Sequence, residues 1–378
     1  MSNIRQGIVH QFRKPLTLLL LGAATALLVV FGLRPRSASA PPPTQLWSID
    51  LGMDSDFHKR LGIEEVLLDP PSIDFITNSQ IICGYYGGST PGAGRPTSSS
   101  EYYVLEINAQ TGALGRKLEF PALEGNYRAL PVAESGFVVF ADDELRKFSD
   151  QFVRGPSYAT PRVQAGESFD RWLVDVAPGG HTVLLYSHRP GEAQGKWAWL
   201  RAADFVTIKS VKGPLPGAIQ ASDTAGIFDG ADDRELLSTG IATELCTRCN
   251  AHFLTDDLLF LDEQQSYMIQ TVTGKEYGTG KLDARALNFS RSAQATRIAY
   301  ATGHYVGSGF PIQSRFDSIT SKIMVLDWST NKPISEIDLN EPAGNPSAGL
   351  AQMALALSPD GKYLAVLLHH TISLYQLP

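Results

Sequence analysis

The sequence predicts an all-β chain: a β-propeller of seven four-stranded blades, preceded by one N-terminal hydrophobic segment. Three observations carry this. Short apolar runs alternate with turns from residue 45 to the end, with almost no helical period. The 34 glycines and 23 prolines fall mostly between those runs, where turns need them. Units of four runs recur at a spacing of about 40–55 residues, the length of one propeller blade.

The N-terminal segment comes first. Leu16 to Leu33 reads LTLLLLGAATALLVVFGL, eighteen residues without a charge. As an α-helix it would cover about 27 Å, close to the hydrocarbon thickness of a bilayer. Arg5, Arg13 and Lys14 precede it, Arg34 and Arg36 follow, and the first acidic residue is Asp50. The larger basic cluster lies N-terminal, so the expected topology leaves the N-terminus in the cytoplasm and the rest outside. Two readings stay open. An uncleaved anchor suits the length of the run. A cleaved secretory signal suits Ala38-Ser39-Ala40, a small-residue site, although Pro41 directly follows it. Cleavage after Ala40 would make the product secreted or periplasmic. The expected organisation is therefore 1–40 as anchor or signal, 41–44 as linker and 45–378 as propeller, with the lipid bilayer met through residues 16–33.

The blades follow in order. Ile73–Ile76, Gln80–Tyr85, Tyr102–Ile107 and Leu114–Phe120 form the first. Arg128–Val132, Phe137–Phe140 and Leu145–Phe148 begin the second. Trp172–Val176, Thr182–Ser187, Lys196–Ala202 and Val206–Val211 form the third. The fourth is ragged, with Ile219–Phe228 and Arg234–Ile241. The fifth has His252–Leu261, Tyr267–Val272 and Glu276–Gly278. Ala286–Phe289, Arg297–Ala301, Lys322–Trp328 and Ile334–Leu339 form the sixth. The last unit has only three runs: Ala354–Ser358, Tyr363–Leu368 and Thr371–Tyr375. The orphan run Gln45–Leu51 can supply the missing strand. The ring then closes if the chain around Trp47 pairs antiparallel with the chain around Leu374.

The stretch SPDGKYLAV (Ser358–Val366) followed by TISLYQL resembles WD-repeat and YVTN-type propeller blades. LEINAQTGALGRKLEF (Leu105–Phe120) resembles blades of quinoprotein-like propellers, whose turn runs Asp-x-x-Thr-Gly. The WD dipeptide is absent at the blade ends, and no tryptophan stands beside Thr111-Gly112. The resemblance implies a fold. It implies no particular chemistry, because propellers host binding modules, scaffolds and enzymes alike.

Composition narrows the partners. Beyond the leader's five basic residues, 27 basic residues face 39 acidic ones, a net charge of −12. That balance excludes the basic stripe of a nucleic-acid binder. No phosphate loop, HExxH, EF-hand or nucleophile elbow is present, and no cofactor or metal is expected. Cys246 and Cys249 have disulfide, zinc or redox spacing. With no second CxxC and no surrounding α/β pattern, a local disulfide in an exported domain, or two structural thiols, is the preferred reading. Cys83, inside an apolar run, reads as a buried thiol. The acidic cluster Asp229, Asp232, Asp233 and Glu235 does not match a calcium-loop spacing.

Candidate binding residues gather on one edge of the ring. His188, His304 and the pair His369-His370 each follow the second run of a blade. The long insertions 87–100, 188–195 and 303–321 lie at the same connections. The last carries Tyr305, Phe310, Arg315 and Phe316, residue types that anchor interfaces. The expected function is a non-catalytic binding or scaffold domain, with an unknown protein or small molecule bound on that face. The alternative is a quinoprotein-like or lactonase-like enzyme with its site at the central channel. The inner runs hold few convergent acidic or histidine residues, with Asp74, Arg128 and Asp175 the exceptions.

Overall fold

The computed structural model describes residues 41–50, 72–87, 101–121, 128–134, 136–141, 144–159, 171–188, 191–229, 233–238, 240–247, 249–263, 265–282, 286–306, 317–339, 353–368 and 371–378. The segment 16–33 and its flanks lie outside the described residues, as do Phe310, Arg315, Phe316 and His369-His370. Among the described residues no helix is long and apolar enough to cross a membrane.

The described strands form seven antiparallel four-stranded sheets. Blade 1 is β2 (Ser72–Thr77), β3 (Gln80–Gly87), β4 (Glu101–Asn108) and β5 (Leu114–Pro121); β1 (Thr44–Asp50) precedes it in the chain. Blade 2 is β6 (Arg128–Val132), β7 (Gly136–Ala141), β8 (Glu144–Ser149) and β9 (Arg154–Ala159). Blade 3 is β10 (Arg171–Val176), β11 (Thr182–His188), β12 (Gly195–Arg201) and β13 (Thr207–Gly213). Blade 4 is β14 (Ile219–Ala221), β15 (Gly226–Asp229), β16 (Asp233–Leu237) and β17 (Ala242–Thr247). Blade 5 is β18 (Asn250–Phe253), β19 (Leu258–Glu263), β20 (Ser266–Thr271) and β21 (Glu276–Lys281). Blade 6 is β22 (Ala286–Arg291), β23 (Arg297–Val306), β24 (Asp317–Asp327) and β25 (Lys332–Leu339). Blade 7 is β26 (Met353–Leu357), β27 (Tyr363–Leu368), β28 (Thr371–Gln376) and, outermost, β1.

The seventh blade closes the ring as expected, with β1 antiparallel to β28 and Trp47 opposite Leu374. Trp47 is half-buried, and its Nε1–H donates to Ala109 O of blade 1 at 2.8 Å. It packs on the turn at Gly112, which has φ +72; a Cβ there would lie 3.1 Å from the indole. The turn that lacks its own tryptophan thus receives one from the closing strand.

A blade cannot bury both faces alone, so each face packs on a neighbour. The core accordingly divides into seven clusters, one between each pair of adjacent blades. Val138 and Leu145 of blade 2 meet Val183 and Leu200 of blade 3 in one of them. Ile81 and Ile107 of blade 1 meet Leu367 and Leu374 of blade 7 in another. The remaining five join blades 1 and 2, 6 and 7, 3 and 4, 5 and 6, and 4 and 5. Tight approaches are met by glycine: a Cβ at Gly195 would clash with the Tyr186 ring on the preceding strand.

Several expected strands change. The run Ile219–Phe228 divides into β14 and β15 through a turn capped by Ser222, whose Oγ accepts from Ala225 N at 2.9 Å. The run His252–Leu261 divides likewise into β18 and β19. Cys246 belongs to β17, and Ile241 precedes that strand. Blade 2 gains β9, whose RGPSYA sequence shows no apolar alternation because the strand is almost wholly exposed. The insertion 303–321 is not all loop, since β23 extends to Val306 and β24 begins at Asp317.

Candidate functional site in the central channel and at one ring edge

The first strand of each blade lines the axis, and the turn after it fixes a register. In five blades the residue closing the inner strand donates its N–H back to the start of the second strand, or in blade 4 to the residue just before it: Ala177, Ser222, Leu254, Ser292 and Ser358. Two residues before these stand Asp175, Gln220, His252, Ser290 and Ala356, and Asp74 takes the matching place opposite Ile82. These side chains form one tier around the axis.

Most of the tier joins blades together. Asp175 Oδ2 accepts from Ala221 N of blade 4 at 2.8 Å. Ser290 Oγ accepts from Leu357 N of blade 7 at 3.0 Å, the same bond between the next pair of equivalent positions. Gln220 Nε2 lies 3.0 Å from His252 Nδ1. Between blades 5 and 6, Asp262 Oδ2 accepts from Ala286 N at 2.9 Å, and Asn250 Nδ2 donates to both Asp262 and Ala286 O. Inner-strand polar groups without a ladder partner are satisfied this way, as buried polar groups must be.

Electrostatics follow from depth. Burial pushes the Asp74 carboxyl up to about 7; Arg128 opposes this, Asp175 adds to it, and Arg291 opposes it. These three residues belong to blades 2, 3 and 6, so Asp74 faces the lumen. Burial also depresses His252 to about 3, helped by Arg291 and Arg234. The imidazole is therefore neutral, and it stacks on Phe289 with ring centroids 4.2 Å apart.

Arg291 stands one residue before its turn, where the other blades place Val176, Ala221, Phe253 and Leu357. Its Nη2 donates across the ring to Val176 O at 3.4 Å. Sequence reasoning singled out Asp74, Arg128 and Asp175 in the channel but missed Arg291 and His252. The signal for Arg291 was a charged residue in a column of apolar ones. The signal for His252 was its place in line with Asp74 and Asp175.

The ring-edge candidates are placed in part. His188 ends β11, and its Nε2 lies 2.7 Å from Glu192 O. His304 and Tyr305 lie in β23. As second strands of their blades, β3, β11 and β23 all end at one edge of the ring. There β23 and β24 outgrow their blade. β22 pairs with β23 as far as Thr302, and β25 pairs with β24 as far as Ser321. Beyond, His304, Tyr305 and Val306 pair only with Ile319, Ser318 and Asp317. Among the described residues this end is a two-stranded ribbon with two open edges.

Elsewhere, Cys246 and Cys249 are joined as a disulfide, with Cα atoms 5.9 Å apart. It spans the crossover from β17 to β18. Cys83 is a free, buried thiol. Asp229 is paired with Arg234. Among the described residues no three His, Cys, Asp or Glu side chains are grouped to hold a metal.

No family model and no curated protein matches the chain. Solved structures do. The WD40 domain of Neurospora crassa Pan2 superposes with TM-score 0.55 at 12% identity, covering 89% of this chain and 95% of that one. The structure of BBS1N in complex with ARL6DN gives TM-score 0.51 at 11% identity, covering 89% and 98%. BamB from Moraxella catarrhalis gives TM-score 0.40 at 14% identity, covering 88% and 99%. The Pan2 and BBS1N matches share the β-propeller fold with this chain, and at these identities fold is all they show.

Proposed function

We propose that this chain is a membrane-tethered or exported propeller that acts as a non-catalytic binding or scaffold domain on the outer side of the membrane. The observation that carries the binding role is the ribbon of β23 and β24. A two-stranded ribbon is marginally stable alone. Among the described residues its backbone edges have no partner strand; such edges are a template for another strand, and sheets normally hide them. Pairing with an extended partner segment is the direct use of this geometry. His304, Tyr305, Phe310, Arg315 and Phe316 are the sequence's candidates for recognising that segment. The known structures of BBS1N with ARL6DN and of the Pan2 WD40 domain have the same fold, which is consistent with a binding role.

The leader reading rests on the uncharged run 16–33 and its basic flanks. The polar tier of the channel weighs against the enzyme alternative, because Asp175, Ser290, Gln220 and His252 are engaged between blades. Asp74, with its raised pKa, is the one observation that favours catalysis.

The test is photo-crosslinking in intact membranes of the source cell. A photoreactive residue replaces Tyr305 in one variant and Tyr277, exposed on the outer strand of blade 5, in another. A discrete protein adduct at 305 and none at 277 supports the reading. Equal or absent adducts at both sites refute the ribbon as the binding element. A stoichiometric metal or quinone in the purified protein would instead favour the enzyme.

A further inference from the structure

We propose that the central channel is a cup that binds a carboxylate group, with Arg291 as its floor and Arg128 at its mouth. This goes beyond the ribbon and does not depend on it.

The cup has a built floor. Arg291 leaves blade 6 and meets Val176 O of blade 3, nearly the opposite side of a seven-membered ring. It therefore closes the lumen at the end where the inner strands finish. Arg128 begins β6, so it stands at the other end, and it is exposed. The walls between them are the tier of Asp74, Asp175, Gln220, His252 and Ser290.

The donors of this cup are largely idle. A guanidinium carries five N–H donors. Among the described residues, the only hydrogen bond from the Arg291 side chain is the long one to Val176 O. Among the same residues, no hydrogen bond or ion pair reaches the Arg128 guanidinium. The two lumen carboxylates do not fill this need: Asp175 is held by Ala221 N, and among the described residues neither it nor Asp74 forms an ion pair. An acceptor that enters the lumen can take up these free donors. A planar two-oxygen acceptor suits a guanidinium fork best. Phosphate would bring more negative charge into a lumen that already holds Asp74 and Asp175, with Asp256 in the turn behind Arg291. A carboxylate brings only one.

Asp74 decides the terms. Ionised, it repels an entering carboxylate. Protonated, it donates to one of its oxygens. The charged and titratable groups that face it are Arg128, Asp175 and Arg291, while His252 beyond them stays neutral. Near pH 7 binding is therefore expected to take up a proton at Asp74.

The carboxylate could belong to a small organic acid or to the C-terminus of a peptide threaded into the mouth. Calorimetry on the full-length protein in detergent separates these, with acetate, succinate, triglycine and triglycine amide as probes. Each is titrated at pH 7 in two buffers of different ionisation enthalpy. Binding of succinate or acetate identifies a small acid; binding of triglycine but not its amide identifies a chain end. Either result supports the cup, provided R128Q weakens it by roughly tenfold or more, as loss of one charged hydrogen bond does. D74N is expected to keep binding and lose the buffer-dependent heat. R291Q removes the floor, and R128Q answers the question if R291Q fails to fold. No heat from any probe at roughly 10 mM, a level that would reveal even millimolar affinity, overturns the proposal. So does unchanged affinity in R128Q, or buffer-dependent heat that persists in D74N.

Discussion

The Asp175 carboxylate accepts the backbone N–H of Ala221 at 2.8 Å, tying the inner strand of blade 3 to that of blade 4. Ser290 and Leu357 repeat the bond between blades 6 and 7 at 3.0 Å. The acceptor is charged in one case and neutral in the other, and the donor N–H is left orphaned if either is removed. We expect D175A to lose about 2–3 kcal/mol and S290A about 1 kcal/mol, since a charged acceptor contributes more than a hydroxyl. D175N should recover much of the loss, because its amide oxygen still accepts. Urea unfolding midpoints check this. Equal losses in D175A and D175N would show that charge, rather than this bond, is what matters at the position.

Ring closure depends on β1. Trp47 bonds Ala109 O and packs on Gly112 of blade 1, while its strand completes blade 7. W47A removes a large half-buried side chain and one hydrogen bond. The expected loss is about 2–4 kcal/mol, toward the lower part of the range for buried aromatics. Ala at Leu374, which is fully buried behind Trp47, should cost a similar amount. The double variant should fall short of the sum, because the two side chains share one cluster. A strictly additive double mutant in thermal unfolding would argue against a shared closure.

Blades 1, 3 and 7 were legible in the sequence because their second strands are buried on both faces. Val183–Tyr186 and Leu364–Leu367 read as unbroken apolar runs for that reason. β9 was not legible. It is an outermost strand, so Pro156 and Gly155 are tolerated there and no pattern survives. β14 and β18 merged with the strands after them because their turns carry few glycines or prolines. The channel was half legible. Asp74 and Asp175 stood out as acidic residues in apolar runs, yet their partners come from other blades, and only closure of the ring brings those near. The same holds for the reach of Arg291 to Val176.

The cysteines give a chemical prediction. Cys246 and Cys249 bridge the crossover of only two residues between β17 and β18, and their sulfurs are joined. In oxidised protein neither should react with a thiol reagent, and the intact mass should be two hydrogens below the reduced value. The loop is short, so replacing both by serine should cost no more than about 2 kcal/mol. Cys83 should stay unlabelled for a different reason. It is fully buried, and burial pushes its thiol up to about 12, so almost no thiolate forms at neutral pH. It should react only as the protein unfolds. Rapid labelling of Cys83 in the native protein would contradict its place between blades 1 and 7.

Two channel residues should give opposite pH dependences. The folded protein holds Asp74 at about 7, above its ordinary 3.8. The unfolded chain then loses the proton first. The stability contributed by the protonated form is complete below about pH 4 and is lost as pH rises toward 7. His252 is held at about 3, below its ordinary 6.5. Its neutral form is favoured in the fold, so that contribution is complete above about pH 6.5 and is lost as pH falls toward 3. Between pH 4 and 6.5 the two oppose each other. In D74N the loss on raising the pH from 4 to 7 should shrink, and stability should increase more steeply with pH than in the parent. In H252Q the loss on lowering the pH from 6.5 to 4 should shrink. Urea midpoints measured across this range test both signs. Parallel curves for D74N and the parent would mean that Asp74 titrates normally and that the lumen is wetter than its burial implies.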